Sequence, residues 1–216
     1  GGNILATVGI TTQFTVVAML LLVSNTPYLR RPERFEPETM RYGELWRQLL
    51  ARANRHWTLA SLGYGEELVA LVLWPIAMAI VLSQNSVALG SLIAGASLVT
   101  AISAPILGKL SDQLSPRRIL GSATWLYLFS WLLRPLALSP LGVLATDTLS
   151  RVSKNGIGVA YSQVLYQRAR DDGRVMVRVM TFELGLAVGK ALVALLLALS
   201  FALGAQLWFG FAVAAA

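Results

Sequence analysis

Eight charged residues stand inside otherwise apolar stretches: Glu66, Glu67, Asp147 and Glu183 against Arg134, Arg151, Lys154 and Lys190. At the centre of a bilayer each such charge costs about 2.5–3.5 kcal/mol, so it faces a bundle interior or a wet cavity, where it pairs or serves a passing solute or proton. Asp147, Arg151 and Lys154 follow i, i+4, i+7 spacing and share one helix face. Glu183 and Lys190, seven apart, share another. Glu66 and Glu67 are adjacent and point about 100° apart. They have no basic residue within a turn, which makes one of them the expected proton carrier, with Glu183 next. Asp147, one turn from Arg151, is expected to stay ionised. Arg134, close to the end of an apolar run, is expected to snorkel to the outer surface. The candidate proton or substrate path is therefore Glu66, Glu67, Asp147, Arg151, Lys154, Glu183 and Lys190.

Other chemistries lack their residues. There is no cysteine, which excludes disulfides, zinc–thiolate sites and iron–sulfur clusters, and the single His56 leaves no multi-histidine metal site. No H-E-x-x-H, no pair of intramembrane aspartates and no Ser/His arrangement occurs. Neither an enzyme nor a bound metal or cofactor is expected.

The elements that must position these charges are membrane helices. Of 216 residues, 56% are hydrophobic and 13% charged, and the mean hydropathy is +0.62. About 25% charged is usual in a soluble domain. A helix needs about 20 apolar residues to cross a bilayer. Five stretches qualify, roughly 4–24, 58–82, 87–107, 118–138 and 177–200. A sixth, 141–166, is more polar, and a seventh begins near 201. The fold expected is all-α, a polytopic helix bundle.

Basic residues collect on alternate connections. Segment 25–57 carries seven arginines, segment 108–118 carries Lys109, Arg117 and Arg118, and segment 167–178 carries Arg168, Arg170, Arg174 and Arg178. The short connections on the opposite side carry no charge. The positive-inside rule makes the basic loops cytoplasmic and the chain a multi-pass protein of the cytoplasmic membrane. This distribution also accounts for the net charge of +7, so no nucleic-acid partner is expected.

The expected organisation is a first span over 1–24, a cytoplasmic segment over 25–57, and a bundle over 58–216. Pro27, Pro32 and Pro37 make 25–37 an extended linker. Glu38 to Trp57 reads as an amphipathic surface helix, with Leu45, Leu49, Trp46, Leu50, Ala53 and Trp57 on its apolar side. Gly90, Ala94, Ser97, Ala101 and Pro105, and the pair Gly185 and Gly189, mark expected close helix contacts. Gly63, Gly65 and Pro75 predict an interruption of the 58–82 span.

One loop carries a motif. Residues 108–120 read G-x-L-x-D-x-x-x-x-R-R-x-L, containing Gly108, Asp112, Arg117 and Arg118. Gly108 is expected to allow close approach to a neighbouring helix. Asp112 suits a helix start, and the arginines suit the cytoplasmic interface. The motif resembles the signature loop of the major facilitator superfamily of secondary transporters, although Pro116 stands where that loop usually has glycine. The order of spans around it resembles the sixth to eighth spans of that family. Arg151 with Gly156 and Gly158 is similar, one residue longer in spacing, to a pattern of the family's proton antiporters.

The resemblance implies an MFS-type half of about six full transmembrane helices plus a truncated seventh, and alternating-access transport of a small solute. It also implies a conformational latch at Asp112 with Arg168 or Arg170, and an N-terminal half of the same chain as partner. The chain opens on Gly-Gly-Asn and closes on Ala-Ala-Ala in an apolar run, as expected of a piece of a longer protein. The alternative is a non-transporting receptor or structural subunit built on the same fold.

Overall fold

A computed structural model of the chain describes residues 10–29, 41–82, 85–171 and 173–215. The described residues are helical, with no strand among them. In chain order the helices are α1 (Ile10–Leu29), α2 (Tyr42–Leu50), α3 (Arg52–Val81), α4 (Ser86–Gln113), α5 (Pro116–Leu133), α6 (Pro140–Asp171), α7 (Val175–Ala202) and α8 (Phe209–Ala215). Three of them are long and apolar enough to cross a membrane: α3, α4 over Val87–Ser111, and α7. Their exposed faces are apolar, with Leu71, Leu98, Ile102 and Leu195 all more than half exposed, as expected of surfaces that meet lipid.

Local chemistry sets the boundaries. The Asn85 side chain caps α4 by accepting from the backbone N–H groups of Val87 and Ala88. Pro116 opens α5, where its missing N–H costs nothing. Gly204, at φ +84, closes α7 in the left-handed conformation, with the Ala205 N–H bonded to the Ser200 carbonyl. The last helix therefore starts at Phe209 and not near 201.

α3 is a broken rod. An α-helix over Arg55–Gly63 gives way to a 3-10 turn over Tyr64–Glu66 and a π turn over Val69–Leu73, before α-helix resumes at Trp74–Val81. The interruption predicted from Gly63, Gly65 and Pro75 thus takes this form. Pro75 offers no N–H to the preceding turn, and the π turn is the adjustment that accommodates it.

α5 and α6 pack closely and α4 packs on α6, while α3 lies along α7 with α2 beside it. Along the α3–α7 seam a Cβ added at Gly65 would collide with the backbone of Gly189, one at Gly189 with the backbone of Leu62, and one at Gly185 with the Ser61 side chain. The two backbones meet there because no side chain intervenes. The stripe expected on α4 is the wrong one: Ala94, Ser97, Ala101 and Pro105 are exposed, and fully buried Ala96 marks the packed face. An aromatic cluster of Trp74, Tyr127, Trp131 and Phe211 joins α3, α5 and α8.

The segment 38–57 departs from one amphipathic helix. The chain extends at Ala51, so Trp57 belongs to α3. Leu45 and Leu49 are buried, and Leu49 reaches Gly185 on α7, while Trp46 and Leu50 stay exposed. Most of the expected 25–37 linker lies outside the described residues, and α1 runs on to Leu29.

Candidate functional site

The buried charges meet where α3, α5 and α6 converge. In the first of two tiers, the Trp74 indole N–H donates to Asp147 Oδ1 at 2.9 Å and the Arg151 Nε–H donates to Asp147 Oδ2 at 2.7 Å. Arg134 Nη2 donates to Ser150 Oγ at 2.8 Å. The Arg134 guanidinium sits 3.4 Å from the Trp131 ring centroid and 4.4 Å from that of Trp74, in cation–π range of both.

The second tier lies two turns along. Glu66 accepts from the Tyr127 hydroxyl at 2.6 Å and pairs through its other oxygen with Lys154. The Lys154 ammonium also lies 4.1 Å from the Tyr64 ring centroid. Seven residues separate Asp147 from Lys154, or about 10 Å of helix rise. Glu67 turns the other way and pairs with Lys190 of α7 at 2.7 Å. A cavity of about 240 Å³ runs past both tiers, bordered by Glu66, Trp74, Tyr127, Arg134, Asp147 and Arg151.

Five of the seven expected path residues, Glu66, Glu67, Asp147, Arg151 and Lys154, line this cavity together. Lys190 stands beside it, bonded to Glu67. Several expectations fail in detail. Glu66 and Glu67 are not isolated: each has a lysine that is distant in sequence. Lys190 pairs with Glu67 rather than with Glu183, and Glu183 lies exposed on α7. Arg134 does not snorkel. It is 2% exposed, because its neighbours Trp131 and Trp74 offer ring faces and Ser150 offers an acceptor.

Sequence reasoning missed Tyr127 and Trp131 altogether. Their signal is there, since Tyr127, Trp131 and Arg134 repeat the i, i+4, i+7 spacing of Asp147, Arg151 and Lys154 on the facing helix.

The signature-loop residues sit apart from the cavity. Gly108 and Asp112 lie in the last turns of α4, and Arg117 and Arg118 lie exposed in the first turn of α5. A Cβ at Gly108 meets nothing within 4 Å, so this glycine allows no close helix approach here. Asp112 is at a helix C-terminal end instead of a start, and its side chain lies outside the described residues. Arg168, a candidate partner for it, stacks 4.8 Å from the Trp57 ring centroid.

The same end of the bundle holds a contact between α2 and α7. Arg174 forks onto Glu44, with Nη2 to Oε2 at 3.0 Å. The hydrogen bond and charge of Arg174 hold the Glu44 carboxyl below its usual range. A small cavity nearby, lined by Trp57, Tyr161 and Arg168, measures about 30 Å³, room for a water but not a solute. No group of three His, Cys, Asp or Glu among the described residues is placed to hold a metal ion.

Comparison of the chain with protein-family models, with curated proteins and with solved structures finds no match.

Proposed function

We propose that this chain belongs to a secondary transporter of the major facilitator type, which moves a small solute across the cytoplasmic membrane by alternating access. The observation that carries the reading is the cavity between α3, α5 and α6, lined by charges matched in acid–base pairs and set in a bundle with three helices fit to span a membrane. A bundle that needed charge only for cohesion has no use for a cavity alongside those charges. A pathway does, because paired charges can be exchanged for a solute or a proton as the helices separate. The signature-loop motif at 108–120 supports the same reading from sequence.

In this scheme the basic connections face the cytoplasm, and the bundle works against an N-terminal half that precedes it. α1 supports that arrangement, since every described side chain from Thr11 to Thr26 is exposed and awaits lipid or protein. Glu66 carries the coupling step: a proton taken up by its carboxylate releases Lys154, and the seam between α3 and α6 loosens.

The test is flux. The protein, reconstituted in proteoliposomes under an imposed pH gradient, should accumulate or expel a solute from a panel, and Glu66→Gln should uncouple that flux from the gradient. Binding without any flux in either direction would favour a receptor or structural subunit. Gradient-driven flux unchanged in Glu66→Gln would remove the proton from Glu66.

A further inference from the structure

Three of the four cations in this region have a carboxylate each: Lys154 has Glu66, Arg151 has Asp147, and Lys190 has Glu67. Arg134 has none. It is also the most deeply buried of the four, and the hydroxyl it bonds, Ser150, is neutral. Its Nε and Nη1 are buried with no acceptor among the described residues. An arginine keeps its charge in a protein. A buried charge without a directly bonded counter-charge is disfavoured, and two indole faces with carboxylates at longer range compensate only part of the lost hydration.

The same side chain borders the cavity of about 240 Å³, which is apolar on another wall at Ala70 and Leu71. A guanidinium presents a planar fork that matches a carboxylate. At about 240 Å³ the cavity has room for a guest of a few carbon atoms. A second negative charge on the guest would face the carboxylates of Asp147 and Glu66, which already pair with Arg151 and Lys154 and accept from Trp74 and Tyr127.

We propose that the cavity binds a small monocarboxylate, its carboxylate at Arg134 and its short apolar body along Ala70 and Leu71. This rests on the transporter reading and names its substrate class. Arg134 is then the binding cation, and the Asp147–Arg151 and Glu66–Lys154 pairs are the walls.

Sodium butyrate is the probe. Trp74 and Trp131 flank Arg134, so tryptophan emission of the purified protein in neutral detergent should change saturably as butyrate is added. Butyramide has the same body without the charge and should bind at least tenfold more weakly. Sodium chloride, which supplies an anion without the body, should also be at least tenfold weaker. Arg134→Gln should abolish saturation, and Arg134→Lys should weaken it about tenfold.

If Arg134→Gln does not fold, Ser150→Ala decides. It frees Nη2 and leaves the cation, so butyrate should bind at least as tightly as to wild type. Equal binding of butyramide or chloride, no saturable response, wild-type affinity in Arg134→Gln, or lost affinity in Ser150→Ala would each overturn the proposal. Flux assays separate the two readings. Arg134-dependent butyrate binding without butyrate flux sinks the transporter and keeps the site. Flux of a neutral or cationic solute without butyrate binding sinks the site and keeps the transporter.

Discussion

The Glu66–Lys154 pair can be weighed by removing its members singly and together. Glu66 has a side chain 10% exposed and Lys154 one 26% exposed, so the pair is largely out of water. Breaking a fully buried pair by deleting one partner costs about 3–5 kcal/mol, because the survivor is left charged without compensation. Here the survivors keep something. After Glu66→Gln, Lys154 still has the Tyr64 ring face, and after Lys154→Gln, Glu66 still accepts from Tyr127. Each single change should therefore cost about 2 kcal/mol, below the fully buried range. The double change leaves two neutral amides able to bond each other and should cost no more than either single. The cycle then gives a coupling free energy of about 2 kcal/mol, well above the error of additivity for independent sites. Reversible unfolding of the four proteins in mixed detergent micelles measures all the corners. Costs that simply add, so that the double equals the sum of the singles, would refute the pairing on which the whole arrangement of α3 against α6 depends.

Three further outcomes follow from the geometry. Gly189→Leu should destabilise the protein by about 2 kcal/mol or more, since its side chain must enter the Leu62 backbone, whereas Gly158→Ala meets nothing and should be neutral or slightly stabilising; thermal unfolding in detergent compares them. Ser115→Cys, in a chain with no native cysteine, should react with an impermeant thiol reagent only when the proposed cytoplasmic face is open to it; labelling of intact cells would invert the proposed topology. The lowered Glu44 carboxyl contributes its full share to α2 docking above the usual carboxylate range and loses it as pH falls through the lowered value, so the amide-exchange protection of Tyr42–Leu50, relative to the intrinsic rate at each pH, should fall on acidification in wild type, and Glu44→Gln should remove that dependence.

The helices were legible in the sequence because hydropathy reports them directly. The stretches 87–107 and 177–200 fall within α4 and α7, and 58–82 nearly coincides with the latter part of α3. The shared face of Asp147, Arg151 and Lys154 was legible for the same reason, since period 3.6 is a local property. Partners were not. Lys154 is 88 positions from Glu66, and Trp74 is 73 from Asp147, so no spacing rule links them. Glu183 and Lys190 share a helix face without pairing, because the glycine seam brings Lys190 against Glu67 on another helix. Arg134 misled because its place near a helix end predicts snorkelling only if no aromatic shelter exists, and Trp74, which supplies half of it, comes from a different helix.

Two seams of different chemistry hold α3. Against α7 it is joined by backbone contact through Gly65, Gly185 and Gly189. Dispersion falls off within an ångström or so of contact, so that seam cannot slide or part without losing its stabilisation. Against α5 and α6 it is joined by Glu66 with Tyr127 and Lys154 and by Trp74 with Asp147. These bonds can be replaced by water or by a solute, because each polar group retains a partner when the helices separate. The cavity already lies on that second side. The 3-10 turn Tyr64–Glu66 carries the second tier, and the π turn Val69–Leu73 lies between it and Trp74 of the first, where a helix with weakened backbone bonding bends most easily. The sequence thus concentrates its glycines on the α7 side of α3 and its charges on the α5 and α6 side, so that α3 packs closely on α7, α4 and α5 pack on α6, and the cavity lies where the charged side of α3 meets α5 and α6.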